Sequence, residues 1–131
     1  MTEHFSTSSF HVFPDNLNYG NTLFGGKLLA EIDCEASKVA KSVIYGTAAD
    51  NAVTARFEGV DFIAPARQGN LVIMEADLVK LGTTSMTIKV DCYIKIGSNK
   101  ERWILICSAI TIFVALKNGK KFPHGKTMEQ N

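Results

Sequence analysis

The run Pro14-Asp15-Asn16-Leu17-Asn18-Tyr19-Gly20-Asn21-Thr22-Leu23-Phe24-Gly25-Gly26 leads straight into an amphipathic stretch that carries Asp33 beside its apolar face. One segment thus supplies turn formers, an exposed helix start and a carboxylate. A carboxylate drawn toward an apolar face is costly to bury without donors or cations. Such a setting is also one way in which proteins tune a general base. Loop polarity accounts for the asparagines and glycines. It does not account for Asp33.

The stretch can be read by angle. At about 100° per residue, Leu28, Val39, Ile32, Val43, Ala36, Leu29 and Ala40 fall within an arc of roughly 120°, the width of a core-facing stripe. Lys27, Glu31, Lys38 and Lys41 lie on the other side, and Glu35 sits near one margin. Asp33 falls about 20° beyond Ala40, near the azimuth of Gly26. That border position faces a crevice or an interface; the plainer alternative is a solvated charge at the edge of the stripe.

The elements that must position these residues follow from periodicity. Phe5, Phe10, Val12 and Phe13 suggest a first strand over 5–13, which Pro14 ends because proline cannot donate to a ladder. After the loop 14–23, the helix is expected from about Phe24 to Ile44, with Gly46 available for a left-handed cap. Four strand-like runs come next. In 52–63 the apolar phase passes from Val53, Ala55 and Phe57 to Val60 and Phe62, which suggests a bulge at Glu58-Gly59. The run 71–80 alternates, and 85–96 alternates most cleanly, as expected of a sheet covered on one face. The run 103–116 is apolar at nearly every position, so both its faces need cover. One helix covers only one face, and an oligomer is expected to supply the rest. Leu81-Gly82-Thr83-Thr84 and Gly97-Ser98-Asn99-Lys100 read as hairpin connections. The resulting layout is α+β, one long helix with a sheet wrapped around it.

Composition bounds the rest. At 131 residues the chain is expected to be a single domain, with 1–4 and about 122–131 loosely ordered. A net charge of +1 and the absence of basic runs argue against nucleic acid binding. The apolar runs fall short of the ~18 residues of a membrane span, and no signal-like start is evident, so a cytoplasmic protein is expected. Cys34, Cys92 and Cys107 show neither metal-ligand nor CxxC spacing, and no metal site is expected. His4, His11 and His124 are scattered, and no chemistry is assigned to them. None of Ser37, Ser42, Ser85 or Ser108 sits in a G-x-S-x-G elbow.

The order of elements, with Asn18, Phe24-Gly25-Gly26 and Asp33 at these spacings, resembles the hotdog-fold acyl-CoA thioesterases. The nearest subgroup is the cytosolic acyl-CoA hydrolases whose helix opens with Phe-Gly-Gly or His-Gly-Gly. Phe62-Ile63-Ala64-Pro65, Lys80-Leu81-Gly82-Thr83-Thr84-Ser85 and Asn118-Gly119-Lys120 extend the likeness over most of the chain. The resemblance implies a hotdog fold of five to six antiparallel strands, and hydrolysis of acyl-CoA to fatty acid and coenzyme A. It makes Asp33 the general base or nucleophile, Gly25 and Gly26 the oxyanion donors, and Asn18 the group that orients water or thioester. It places the site between two protomers, in a homodimer or a trimer of dimers. It brings Phe24, Arg67, Lys80, Gly82, Thr83, Thr84, Ser85 and Lys120 to the substrate, with no cofactor beyond coenzyme A itself. Asp33 lies about 10 Å along the helix axis from Gly26, too far for both to grip one carbonyl in a single chain. Two other readings compete with hydrolysis. An acyl-thioester hydratase or dehydratase would need a histidine near the helix start, and His11 precedes the loop. A non-catalytic acyl-CoA binding module would bind without turnover.

Overall fold

The computed structural model of the chain describes residues 4–128. Of the ends expected to be loose, 1–3 and 129–131 lie outside the described residues. The elements are β1 (Phe5–His11), α1 (Gly25–Ile44), β2 (Asn51–Phe62), β3 (Leu71–Leu81), β4 (Ser85–Ile94), β5 (Ile104–Lys117) and β6 (Lys120–Lys121). Short 3-10 turns lie at Pro14–Asn16 and Lys100–Arg102. The strands form one antiparallel sheet in the order β1-β3-β4-β5-β2, and β6 pairs with the end of β5. This is the hotdog arrangement: a curled sheet around one long helix.

Helix α1 forms where the stripe predicts it and buries Leu28, Ile32, Ala36, Val39, Ala40 and Val43. The sheet answers with its inward positions. Val72, Met74, Ala76 and Leu78 of β3 and Met86, Ile88, Val90 and Cys92 of β4 are buried in strict alternation. On β5 the inward set is Cys107, Ala109, Thr111, Phe113 and Ala115. The positions between them are covered only in part within one chain: Ile106 and Val114 are buried, Ile104 is exposed, and Ile110, Ile112 and Leu116 are half-buried.

The two edges differ. On β2 the register against β5 slips between Thr54 and Arg56 and again between Phe57 and Gly59, so the bulge expected at Glu58 is joined by one at Ala55. The apolar phase of β2 does not face the core here. Val53 and Phe57 are exposed, whereas Ala52 is buried and Thr54 is half-buried. The opposite edge, β1, turns Ser6 and Ser8 inward and pairs with β3 from Phe5 against Asp77 to His11 against Leu71.

Glu35 departs most from expectation. Placed near the stripe's margin by angle, it is 1% exposed. The hydroxyls of Ser6 and Ser8 donate to its two carboxylate oxygens, and Lys38 Nζ lies 3.0 Å from Oε1. Burial pushes this carboxyl up, but the bonds from Ser6, Ser8 and Lys38 together outweigh it and hold the pKa below the ordinary value. A polar latch therefore ties edge strand β1 to the helix, where an apolar contact would be usual.

The segment after β6, read from its composition as loose, carries backbone hydrogen bonds as far as Lys126. Phe122 N–H donates to Ala115 O and His124 N–H to Thr83 O. Lys126 N–H donates to His124 Nδ1.

A depressed carboxylate pKa contributes stability above the unfolded value of about 4.3 and loses it as pH falls through the lower folded value. Glu35→Gln should therefore cost about 1–3 kcal/mol at pH 7 in urea melts. That deficit should shrink below about pH 4, as the wild-type carboxyl itself protonates. Equal stability at pH 7 would refute the latch.

Candidate active site

Helix α1 starts without a side-chain cap. Phe24 occupies the cap position and makes no side-chain hydrogen bond to the first turn, which also contains no acidic residue. Most helices place Ser, Thr, Asp or Asn there to satisfy the first N–H groups. Here Leu28 N–H reaches back to Phe24 O, while the N–H groups of Gly25, Gly26 and Lys27 meet no acceptor among the described residues. A helix of 20 residues thus presents a bare positive end.

Aromatic packing explains the glycine pair. A Cβ on Gly26 would lie 2.5 Å from the edge of the Phe24 ring, and one on Gly25 would meet the Phe62 ring at 3.4 Å. The two rings flank the helix start, and only small residues fit beneath the first. Phe24 N–H donates to Asn16 O and Leu23 N–H to Ala66 O, which fixes the entry of the chain into the helix.

A groove of about 360 Å³ opens beside this start, lined by Asn18, Thr22, Leu23, Gly25 and the segment Phe62-Ile63-Ala64-Pro65. The loop and the Phe62-Ile63-Ala64-Pro65 match thus meet in space. Asn18 Oδ1 accepts from the N–H groups of Gly20 and Thr22, at 2.9 and 3.1 Å, and Nδ2 lies 3.0 Å from Thr22 Oγ1. Its amide therefore shapes the loop as well as lining the groove. The groove contains no histidine, and His11 stands exposed at the end of β1 with its ring near Phe13.

Asp33 is half-buried on the side of α1 that faces β2. Thr54 Oγ1 donates to Asp33 Oδ1 at 2.6 Å, and Oδ2 has no hydrogen-bond partner among the described residues. Sequence reasoning missed Thr54. Its one signal was the polar position between Val53 and Ala55, which becomes meaningful only once β2 is known to lie beside the helix. Strand β2 is at the edge of the sheet, so its side away from β5 has no strand partner among the described residues.

The remaining expected residues divide between two ends of the sheet. Arg67 lies exposed in the turn after Pro65, where its N–H donates to Asn70 Oδ1. Lys80, the Gly82–Ser85 turn and Lys120 lie at the opposite end. Phe62 pairs with Cys107, whereas Ser85 pairs with Val114 and Ala115 N–H donates to Thr84 O. Eight residues along β5 separate those levels, about 26 Å at ~3.3 Å per residue. One chain does not bring the two groups together.

The cysteines stay outside this geometry. Cys34 is exposed, and Cys92 and Cys107 are buried opposite each other on β4 and β5. Contact with the Cys107 thiol, together with burial, pushes the Cys92 thiol far up and keeps it un-ionised. Among the described residues no cluster of three or more His, Cys, Asp or Glu could hold a metal, and no helix is long and apolar enough to cross a membrane.

The family model of the thioesterase superfamily matches residues 20–98. The acyl-CoA thioester hydrolase YciA of Salmonella typhimurium is 34% identical over 82 residues, covering 63% of this chain and 59% of that protein. The chain spans about three fifths of the length of the curated relatives it matches. An acyl-CoA hydrolase from Staphylococcus aureus, solved with butyryl coenzyme A, coenzyme A and coenzyme A disulfide, is similar with a TM-score of 0.84. It is 31% identical, over 92% of this chain and 71% of its own. Solved forms of that hydrolase include variants with an asparagine, an aspartate or a threonine replaced by alanine. A hexameric acyl-CoA thioesterase has a TM-score of 0.78 at 29% identity, over 92% of this chain and 74% of its own.

The packing at the helix start makes a direct demand. Gly26→Ala should displace the Phe24 ring, visible as moved aromatic resonances in NMR spectra. Thermal stability should stay within about 1 kcal/mol of wild type, because alanine is the better helix former. Gly25→Ala should leave the Phe24 ring where it is.

Proposed function

Since the chain belongs to the thioesterase superfamily, we propose that it hydrolyses acyl-CoA thioesters to the free fatty acid and coenzyme A. The observation that carries the reading is the pairing of a bare helix start beside a groove with a half-buried carboxylate on the open edge of the sheet. The thioester carbonyl oxygen binds at the N–H groups of Gly25 and Gly26, where the helix dipole favours developing negative charge. Asp33 Oδ2 takes the proton of an attacking water, or attacks the carbonyl carbon itself. The C–S bond then breaks, and the thiolate of coenzyme A leaves and is protonated; after direct attack the acyl group remains on Asp33 as an anhydride, which a water then hydrolyses to the free acid and the carboxylate. Thiolate is a good leaving group, so no serine or cysteine nucleophile and no further cofactor is required.

The separation of about 10 Å between Asp33 and Gly26 along one helix calls for a second copy. Antiparallel self-pairing of β2 about a two-fold axis would lay one chain's Phe62 end beside the other's Asn51 end. That brings a carboxylate to each glycine turn and covers the exposed Val53 and Phe57. It also sets the Gly82–Ser85 turn and Lys120 of one copy near the groove of the other. The two groups of substrate-binding residues, split in a single chain, are thereby reunited. The trimer of dimers is the fuller assembly we expect, with the partly covered outward face of β5 as the surface it would close over. Asn18, Asp33 and Thr54 are of the three residue types replaced in the S. aureus hydrolase. Thr54 holds Oδ1 and so aims Oδ2.

A thiol-release assay over acyl-CoAs of increasing chain length tests the proposal. Asp33→Asn should lower the rate by at least ~100-fold, the scale of losing a general base. Unchanged turnover in a folded variant would remove Asp33 from the chemistry. Co-refolding Asp33→Asn with Gly26→Pro should restore part of the activity if each site draws on both copies. Oxygen-18 from labelled water should enter the enzyme in a single turnover only if the carboxylate attacks directly.

A further inference from the structure

His124 is almost fully buried, at 3% exposure, in a segment whose composition gives no reason for it. Its backbone N–H donates to Thr83 O at 3.2 Å. Its Nδ1 accepts from Lys126 N–H at 3.0 Å, which assigns the ring proton to Nε2, and Nε2 lies 3.1 Å from Ser85 O. Gly125 has a φ of +71°, the left-handed turn that lets Lys126 fold back onto the ring. The ring is thus a two-sided clasp between the C-terminal segment and the turn joining β3 to β4.

The clasp decides which way that turn points. Three of its four carbonyls are occupied from the protein side: Thr83 O by His124 N–H, Thr84 O by Ala115 N–H, and Ser85 O by Gly82 N–H and His124 Nε2. The N–H groups of Thr83 and Thr84 have no acceptor among the described residues. The turn therefore keeps two backbone donors free while three of its four backbone acceptors are taken. Free backbone donors of this kind suit the amide carbonyls and phosphate oxygens of a coenzyme A arm.

We infer that His124 is a positioning residue for coenzyme A: by holding Ser85 O and Thr83 O it fixes the Gly82–Ser85 turn with its donors toward the arm. The inference rests on the reading above, that this turn lines the substrate. His124 touches no reacting atom, and its effect falls on binding and not on the chemical step.

Three variants separate the parts of the clasp. His124→Gln can keep the donor to Ser85 O, His124→Asn can keep only the acceptor for Lys126, and His124→Phe keeps shape alone. With an acyl-CoA substrate, the Asn and Phe variants should raise KM about tenfold, the scale of one lost hydrogen bond, with kcat within twofold of wild type. The Gln variant should recover most of the loss. An acyl N-acetylcysteamine thioester, which lacks the nucleotide and most of the arm, should show the same KM in all four proteins. Calorimetric titration with coenzyme A should show the same tenfold pattern in affinity. If the variants fold and wild-type KM and coenzyme A affinity persist in Asn and Phe, the inference fails while the hydrolase proposal stands. Equal losses on both substrates would also overturn it, as the mark of a general structural role. If wild type binds coenzyme A without turnover, hydrolysis is lost and the calorimetry still decides the role of His124. Should wild type neither bind coenzyme A nor release thiol, both proposals fall. If Phe does not fold, the contrast between Gln and Asn carries the test.

Discussion

A long helix wrapped by a sheet cannot be capped in the ordinary way if its first turn is to meet a ligand. That constraint organises the structure around Gly25. The first N–H groups of α1 are left without side-chain acceptors, at a cost on the order of 1 kcal/mol for a missing cap. The loss is offset by packing: Ile32, Ala36, Val39, Ala40 and Val43 are at most 1% exposed and tie the helix to the sheet. With the helix so firmly buried, its start need not be stabilised locally. Phe24 and Phe62 then stand where a capping side chain and its solvent would otherwise be, and the glycines are what lets the rings approach.

The two carboxylates on α1 show how burial and chemistry divide between neighbours. Asp33 and Glu35 differ by two positions, about 200° around the helix. Glu35 points at the inner face of β1 and has every oxygen engaged, by two hydroxyls and a lysine. Asp33 points at β2 and has one oxygen held by a single hydroxyl. The fully buried acid is the saturated one, and the half-buried acid keeps a lone oxygen for other work. Burial alone would have ranked them the other way round as reactive groups.

Much of this was legible in the residues, because the patterns that set helix and strand are local. The alternation of Met86, Ile88, Val90 and Cys92 and the stripe from Leu28 to Val43 placed the core and the helix within a residue or two. Asp33 could be singled out as a candidate by its angle on the helix, and Gly25 and Gly26 by the resemblance that their spacing to it carries. What escaped depended on contacts far apart in sequence. Glu35 sits 29 and 27 positions from its serine partners, Thr54 sits 21 from Asp33, and His124 reaches 39 back to Ser85. No helical wheel or strand template spans such intervals. The tail failed for a related reason: lysines and glycines read as solvent-loving, and composition carries no trace of the one imidazole that anchors them. The apolar phase of β2 misled in a different manner, since Val53 and Phe57 are spaced like core residues but lie exposed in the single chain.

The unequal edges of the sheet also govern how many copies can join. Strand β1 is the shorter edge, seven residues against twelve in β2, and its inner hydroxyls are already committed to Glu35; short edges blunt strand addition. Strand β2 is long and greasy but broken in register at Ala55 and Glu58. Kinked strands mate well only with a matching kink, and the nearest match is the same strand turned head to tail. Such a union exhausts the sticky margin of both members at once and leaves two reluctant margins outside. In the self-pairing proposed above, growth by margin-to-margin addition would stop at two, which would guard a sheet protein of this shape against running on into fibres.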